Sequence, residues 1–300
     1  MFDVVIIGGG PAGMSAAPSS GRGKMKVLLI DEEKPRNAVT RESHGFLTRD
    51  GITPDKFREV GRSDLQKYPT ITIQNDRVQS INQLGERSFK LVTLTGRTVH
   101  TKNIVLATGL KETLPDVKNI EQFYGNSIFS CPFCDGWEMK DRSLVLIMEN
   151  TQAFHLVKLL KNWTDDLVLA TNGQYWLDDQ QKEILELNNI SIIEEKISSL
   201  NGDDGELRSL TFEGGKELER TSGFCATHLD NTLPFINELG IEIGESGYIT
   251  TNMMGQTNIP GIYAAGDIKG PSQLMVSASQ GHMVGMGIIA NSSEAQFITK

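Results

Sequence analysis

The apolar run Asp3-Val4-Val5-Ile6-Ile7 leads straight into Gly8-Gly9-Gly10-Pro11-Ala12-Gly13. A G-x-G-x-x-G directly after a strand-length apolar run predicts a buried strand that turns tightly into a helix from about Pro11. Lys26 to Ile30 predicts a second strand, which Asp31 closes eighteen residues after Gly13. The glycines permit the tight turn and let a pyrophosphate approach the backbone at the helix N-terminus, while Asp31 can accept from a ribose hydroxyl. Strand, fingerprint, helix, strand and acid in register predict a dinucleotide site. Pro18 falls inside the predicted helix, where it removes a backbone hydrogen bond and should bend it.

The same unit recurs at a constant offset of 140 residues. Leu144-Val145-Leu146-Ile147 repeats the first strand, a helix follows from about Gln152, and Asp166 to Ala170 repeats the second strand. The fingerprint is lost in the copy. Gly8, Gly10 and Gly13 correspond to Met148, Asn150 and Ala153, and Asp31 corresponds to Thr171. Glu149 adds a negative charge where a pyrophosphate would sit and is placed to cap that helix itself. No arginine lies between Arg142 and Arg208 to hold a 2′-phosphate. The pattern is α/β: two dinucleotide-binding folds, one of which has kept its shape without its site.

Between these units, Lys34 to Gly51 reads as a polar loop and Pro54 to Tyr68 as a helix. Strands are predicted at Ile71–Ile73, Arg77–Ile81, Phe89–Thr93, Thr98–His100 and Asn103–Leu106, the last followed by Ala107-Thr108-Gly109. Leu114-Pro115 and Leu239-Gly240 mark expected boundaries. Asp178 to Leu187 reads as a helix, Tyr248-Ile249 and Ile262–Ala265 as short strands, and Gln273 to Ile289 as a long helix with a close-packing face of small residues. Lys+Arg 29 against Asp+Glu 38 gives 29 − 38 = −9, which argues against nucleic acid and anionic membrane as partners. No apolar run approaches the ~18 residues of a membrane span. The chain opens directly on a strand, leaving no room for an export signal, and it has 3 cysteines, so a reducing cytoplasmic setting is expected.

Cys131-Pro132-Phe133-Cys134-Asp135 carries the chemistry. Two cysteines three apart can close a disulfide ring across one helical turn, and proline between them favours a helix start. A thiol at a helix N-terminus has a stabilised thiolate, and the adjoining Asp135 carboxyl could exchange a proton with a leaving thiolate. Those are the parts that thiol–disulfide exchange requires. Buried structural cysteines are one alternative. A zinc site completed by Cys225-Ala226-Thr227-His228 is another, although about ninety residues separate the two pairs.

Fingerprint, Ala-Thr-Gly, C-x-x-C-Asp-Gly and Gly266-Asp267, in this order and spacing, resemble the low-molecular-weight thioredoxin reductase family over essentially the whole chain. Ser43-His44-Gly45-Phe46-Leu47 and Cys-Pro-Phe-Cys-Asp-Gly are closer to a branch that includes dithiol oxidases of disulfide-containing natural products. The resemblance implies two Rossmann-like three-layer domains, the second inserted into the first: an FAD domain from 1–114 and 241–300, and a pyridine-nucleotide-like domain from 115–240 carrying the cysteines. It further implies that Gly8, Gly10, Pro11, Ala12 and Gly13 hold the FAD pyrophosphate and Asp31 its ribose. Asn37, Val78, Thr108 and Gly109 would line the cofactor, Asp267 its ribityl side, and Gln273 and Leu274 the flavin ring. Cys134 would face the flavin, Cys131 would exchange with substrate, and Asp135 would act as acid–base residue. The family's arginine before Gln273 is Ser272 here. Its nucleotide glycines and phosphate-binding arginines are missing, which speaks against NADPH.

The resemblance therefore implies an enzyme passing electrons between FAD, the Cys131/Cys134 pair and a thioredoxin-like protein or small dithiol or disulfide. Oxygen, ferredoxin or flavodoxin are possible partners on the other side, and a homodimer is expected. An NADPH-dependent thioredoxin reductase and a non-catalytic flavin-binding redox sensor are the competing readings.

Overall fold

The computed structural model describes residues 1–231 and 233–298, which fall into two compact units. Unit 1 comprises residues 1–38 and 45–111 and the described residues from 230 onward; unit 2 comprises 39–44 and 112–229. The chain leaves and re-enters unit 1 through short strands, Lys111–Thr113 and His228–Asp230, which pair with each other. The first joint thus falls close to the expected 114/115. The second comes well before 240/241, because Pro234–Glu238 is a helix whose Phe235 and Ile236 are buried in the core of unit 1.

In unit 1 the strands Phe2–Ile7, Val27–Asp31 and Ile71–Asn75 run parallel, with Phe2–Ile7 also parallel to Thr98–Leu106. That last strand is one element where the sequence suggested two. It continues antiparallel into the meander of Ser88–Thr93 and Val78–Gly85, and it pairs in parallel with Ile262–Ala264. Val4, Val5, Ile6 and all of Val27–Asp31 are buried, as expected of central parallel strands covered on both faces. Tyr248-Ile249 forms only an isolated bridge, Ile243 to Ile249.

The first helix, Pro11–Arg22, passes through Pro18 without ending there. The long final helix, Leu274–Ile298, packs across it. A Cβ at Gly281 would stand 1.9 Å from Ala12 O, so the small residues of the last helix let the two backbones touch. This contact holds the fingerprint turn rigidly at the end of the central strand. A further helix, Pro54–Leu65, is capped by Thr53 Oγ1, which accepts from Lys56 N–H at 3.2 Å.

Unit 2 repeats the parallel core in the order Ser191–Ile193, Leu167–Ala170, Leu144–Ile147, Ser222–Cys225, Ile128–Phe129. Leu144–Ile147 and Leu167–Ala170 pair in parallel and are fully buried, at the offset seen in the sequence. A three-stranded antiparallel sheet of Ile197–Asp203, Glu206–Phe212 and Glu217–Glu219 covers part of this core. Asp178 caps the helix Asp179–Leu187 in a reciprocal box with Gln181. Both expected parallel units are present, and the fold is mixed α/β. Among the described residues no helix is long and apolar enough to cross a membrane.

Candidate active site

Unit 1 contains a cavity of about 460 Å³ at the C-terminal ends of its parallel strands. Its wall includes Gly8, Gly10, Pro11, Ala12, Asp31, Asn37, Val78, Thr108, Gly109, Asp267 and Leu274. That is nearly the whole set predicted for the cofactor. Gly13 lies beneath the wall: a Cβ there would stand 1.9 Å from Gly8 O, so only glycine lets the helix come this close. Gln273 stands outside the lining and accepts from Ser277 N–H at the start of the last helix. The first turn is strained for any other residue, with Gly8 at φ +105° and its virtual Cβ 2.2 Å from Ala107 O.

Asp31 is buried, yet it is not waiting on a ligand alone. Its Oδ2 accepts from Arg58 Nη2 and Arg62 Nη2, each at 2.8 Å. Burial pushes its carboxyl up, but the Gly9 backbone N–H and the two guanidinium groups more than offset this and hold it below the usual carboxylate range. Arg62 also pairs with Glu33. Asp267 is similarly braced: Oδ2 accepts from Arg36 at 2.8 Å, and Oδ1 from Ser272 N–H at 3.1 Å. Ser272, standing where the family has arginine, therefore orients Asp267.

The sequence reading missed these arginines. Arg58 and Arg62 lie four apart on one helix, a spacing that on its own looks like a solvated face. It also missed Asp76, which accepts from Arg77 N–H at 2.8 Å, Thr95 Oγ1 at 2.5 Å and Gln74 Nε2 at 3.0 Å. Burial opposes ionisation of Asp76, but these donors hold its carboxyl well below normal. The effect is to fix the Arg77-Val78 backbone in the cavity wall.

The lining fits a dinucleotide flavin. A Cβ at Gly10 would meet no protein atom within 4 Å, so the backbone there opens on the cavity. Thr108 Oγ1 and Asn231 Nδ2, both in the wall, are buried with no hydrogen-bond partner in the protein. Unsatisfied polar atoms of that kind are costly unless a ligand pairs them. The volume lies within the range of cofactor sites.

In unit 2, Cys131 and Cys134 are joined in a disulfide with Cα atoms 5.3 Å apart. Proline at the first helical position and the N–H groups of Cys134 and Asp135, both donating to Cys131 O at 3.1 Å, close a single turn, Pro132–Asp135. One turn carries little macrodipole, so helix position contributes less to thiolate stability than the motif suggested. The neighbouring Asp135 is the stronger element. Burial, reinforced by Glu138 and opposed by His44, pushes its carboxyl up to about 7. A group titrating there can hold or release a proton at neutral pH. Phe133 and Trp137 are 66% and 67% exposed on this turn, Phe133 edge-on to Trp163. Cys225, the third cysteine, sits in the unit 2 core, where burial and Glu112 push its thiol up to about 12. Two of the four ligands that the zinc alternative requires are tied in this disulfide.

The second fingerprint region is occupied by protein. Asn172 Nδ2 donates to Glu149 Oε1 at 2.6 Å, and Asn150 Oδ1 accepts from Gln152 N–H at 3.0 Å. The expectation that Glu149 caps the helix is thus corrected: the helix Ala153–Leu160 has no side-chain cap, and Glu149 reaches across to the next strand end. Met148 is buried in the local core.

A cavity fitted to a flavin dinucleotide and an exchangeable disulfide beside a neutral-range acid define a disulfide oxidoreductase. The family model described as "Pyridine nucleotide-disulphide oxidoreductase" matches residues 2–281. A protein named thioredoxin reductase sirT from Leptosphaeria maculans is 30% identical over 306 residues, spanning 96% of this chain and 93% of that protein. A thioredoxin reductase from Listeria innocua is 27% identical over 299 residues, covering 95% and 92% respectively. The crystal structure of a putative thioredoxin reductase TrxB from Bacillus anthracis superposes with a TM-score of 0.95 at 37% identity, covering 99% of this chain and 100% of that one. The chain belongs to the pyridine nucleotide-disulphide oxidoreductase family, in its low-molecular-weight, thioredoxin reductase-like group. It is a flavin-dependent oxidoreductase acting on sulfur, and the family implies FAD.

Proposed function

We propose that this flavoenzyme exchanges electrons between an external dithiol or disulfide and the Cys131/Cys134 pair, with FAD held in unit 1 and little use of NADPH. The observation that carries the reading is the closed Cys131–Cys134 disulfide adjoining Asp135. Gly8, Gly10, Pro11, Ala12 and Gly13 would hold the pyrophosphate, and Asp31, oriented by Arg58 and Arg62, the ribose. Val78, Asn37, Thr108, Gly109, Asp267 and Leu274 would line the rest; Gln273, outside the lining, would act only through the start of the last helix. Bound there, FAD supplies a two-electron store for the cysteine pair.

In the dithiol-oxidising direction an external thiolate attacks Cys131 Sγ. The Sγ–Sγ bond breaks, a mixed disulfide forms, and Cys134 leaves with the electron pair. Asp135 gives its proton to the Cys134 thiolate. The second substrate thiolate then attacks the substrate sulfur of the mixed disulfide and expels Cys131. Substrate leaves oxidised, and the enzyme holds the Cys134 thiol, the Cys131 thiolate and the Asp135 carboxylate.

The partner is proposed to be a thioredoxin-like protein or a small dithiol or disulfide, with oxygen, ferredoxin or flavodoxin taking or supplying electrons in place of NADPH. A cytoplasmic homodimer remains part of the proposal, on family resemblance. An NADPH-dependent thioredoxin reductase is the second reading, favoured by the names of the relatives. Anaerobic titration of the flavin spectrum with dithiol, NADPH and NADH in turn separates them. Bleaching by dithiol alone supports the proposal; millisecond bleaching by micromolar NADPH supports the second reading, and no bleaching by either leaves a redox-silent flavin protein.

A further inference from the structure

Glu42, His44 and Glu138 of unit 2 form a cluster of titratable side chains close to Asp135, the holder of the proton that the exchange step needs. Asp135 ends the short helix and Glu138 lies three residues on, in the turn that follows, where Met139 N–H donates to Asp135 O at 3.3 Å. His44 comes from a remote segment and sets Nε2 3.6 Å from Glu138 Oε1 and 3.7 Å from Glu42 Oε2. The His44 side chain is 21% exposed, so it is held against the turn rather than loose in solvent. Glu138 Oε2 is buried with no hydrogen-bond partner. A carboxylate oxygen left without a donor repels a second negative charge nearby.

Resting on the function proposed above, we infer that Glu138 and His44 are positioning residues for the proton of Asp135, Glu138 retaining it on the carboxyl and His44 promoting its release. Burial has the larger effect on the Asp135 carboxyl; Glu138 acts in the same direction and His44 against it. Glu42 acts indirectly, by sharing His44. Glu138 thus keeps the acid loaded before attack on Cys131. His44, acting the other way, limits the cost of the Asp135 carboxylate left behind once Cys134 has taken its proton.

The test uses the FAD-loaded protein mixed anaerobically with dithiothreitol in single-turnover amounts. The initial rate of formation of oxidised dithiothreitol, divided by its thiolate fraction, is followed against pH. Wild type should lose rate as pH rises through the Asp135 titration near 7. Glu138→Gln should move that loss to lower pH by about half a unit or more, His44→Gln should move it higher, and Glu138→Asp should restore the wild-type midpoint. Opposite shifts are not what mere loosening of the turn would give, and either variant alone fixes a sign if the other fails to fold. If Asp135→Asn keeps the wild-type profile, Asp135 is not the proton donor and the proposed function fails. If Asp135→Asn removes the pH dependence but the Glu138 and His44 variants shift it together or not at all, the inference alone is overturned.

Discussion

Asn172 Nδ2 donates to Glu149 Oε1 at 2.6 Å, tying the end of one parallel strand of unit 2 to the turn after another. In unit 1 the equivalent turn is three bare glycines facing a cavity. In unit 2 a carboxylate with its own partner fills the place where anionic phosphates would approach a helix N-terminus.

Weak nicotinamide binding is the outcome expected of that turn together with the missing phosphate-binding arginines. Loss of two charge-assisted phosphate contacts, each worth about 1.5–3 kcal/mol, weakens binding by roughly 10²–10⁴. Calorimetry with NADPH on the FAD-loaded protein should show no micromolar site. Saturable micromolar binding would mean that another loop supplies the missing contacts.

Replacing Gly10 with valine should release the flavin and leave the fold intact. A Cβ at Gly10 meets no protein atom within 4 Å, so the side chain intrudes on the ligand alone. Flavin affinity should fall more than tenfold, about 1.4 kcal/mol, with the melting temperature of the flavin-free protein unchanged. Gly13→Ala makes the contrast: its methyl group would press on Gly8 O, so it should lower that melting temperature too.

Leu144–Ile147 and Leu167–Ala170 could be read from the sequence because buried parallel strands are written as unbroken apolar runs, and the C-x-x-C because its ring closes within one turn. What stayed hidden depends on distant segments. Arg58 and Arg62 meet Asp31 only once the helix Pro54–Leu65 has packed beside the strand. His44 reaches Glu138 across the fold of unit 2, and nothing in either local pattern announces it. The second joint was placed too late because Pro234–Glu238 belongs to unit 1 through two buried side chains, a matter of packing and not of composition.

Asp135 should make the protein less stable as pH rises. Its folded-state value near 7 lies above the 3.8 of a free aspartate, so the folded form binds the proton more tightly. The stability this contributes is complete below about pH 4 and is lost as pH climbs through 7. Asp135→Asn keeps the shape of the neutral acid and never ionises. The variant should melt higher than wild type at pH 8, by about 1–2 kcal/mol of stability, and match it at pH 4. Equal melting temperatures at both pH values would mean that the carboxyl is not desolvated.

The exposed aromatic side chains on the cysteine turn point to how a macromolecular partner is recognised. Trp137 is 67% exposed three residues past Cys134, with Lys140 Nζ 3.4 Å from its ring centroid, and Phe133 lies between the cysteines at 66% exposure. Large aromatic rings left in water are costly, and at interfaces they are frequent sites of high binding energy. A small dithiol needs only Cys131 Sγ, whereas a thioredoxin-like protein must settle a surface on this turn before its thiolate can reach the sulfur. Trp137→Ala should therefore raise KM for a thioredoxin-like substrate about tenfold or more while kcat changes little. Its rate with dithiothreitol should stay within a factor of about two, because binding and not exchange chemistry is impaired. Steady-state assays with both substrates check this. Equal losses for both would place Trp137 in the exchange chemistry or the stability of the turn, and no loss for either would remove it from partner recognition.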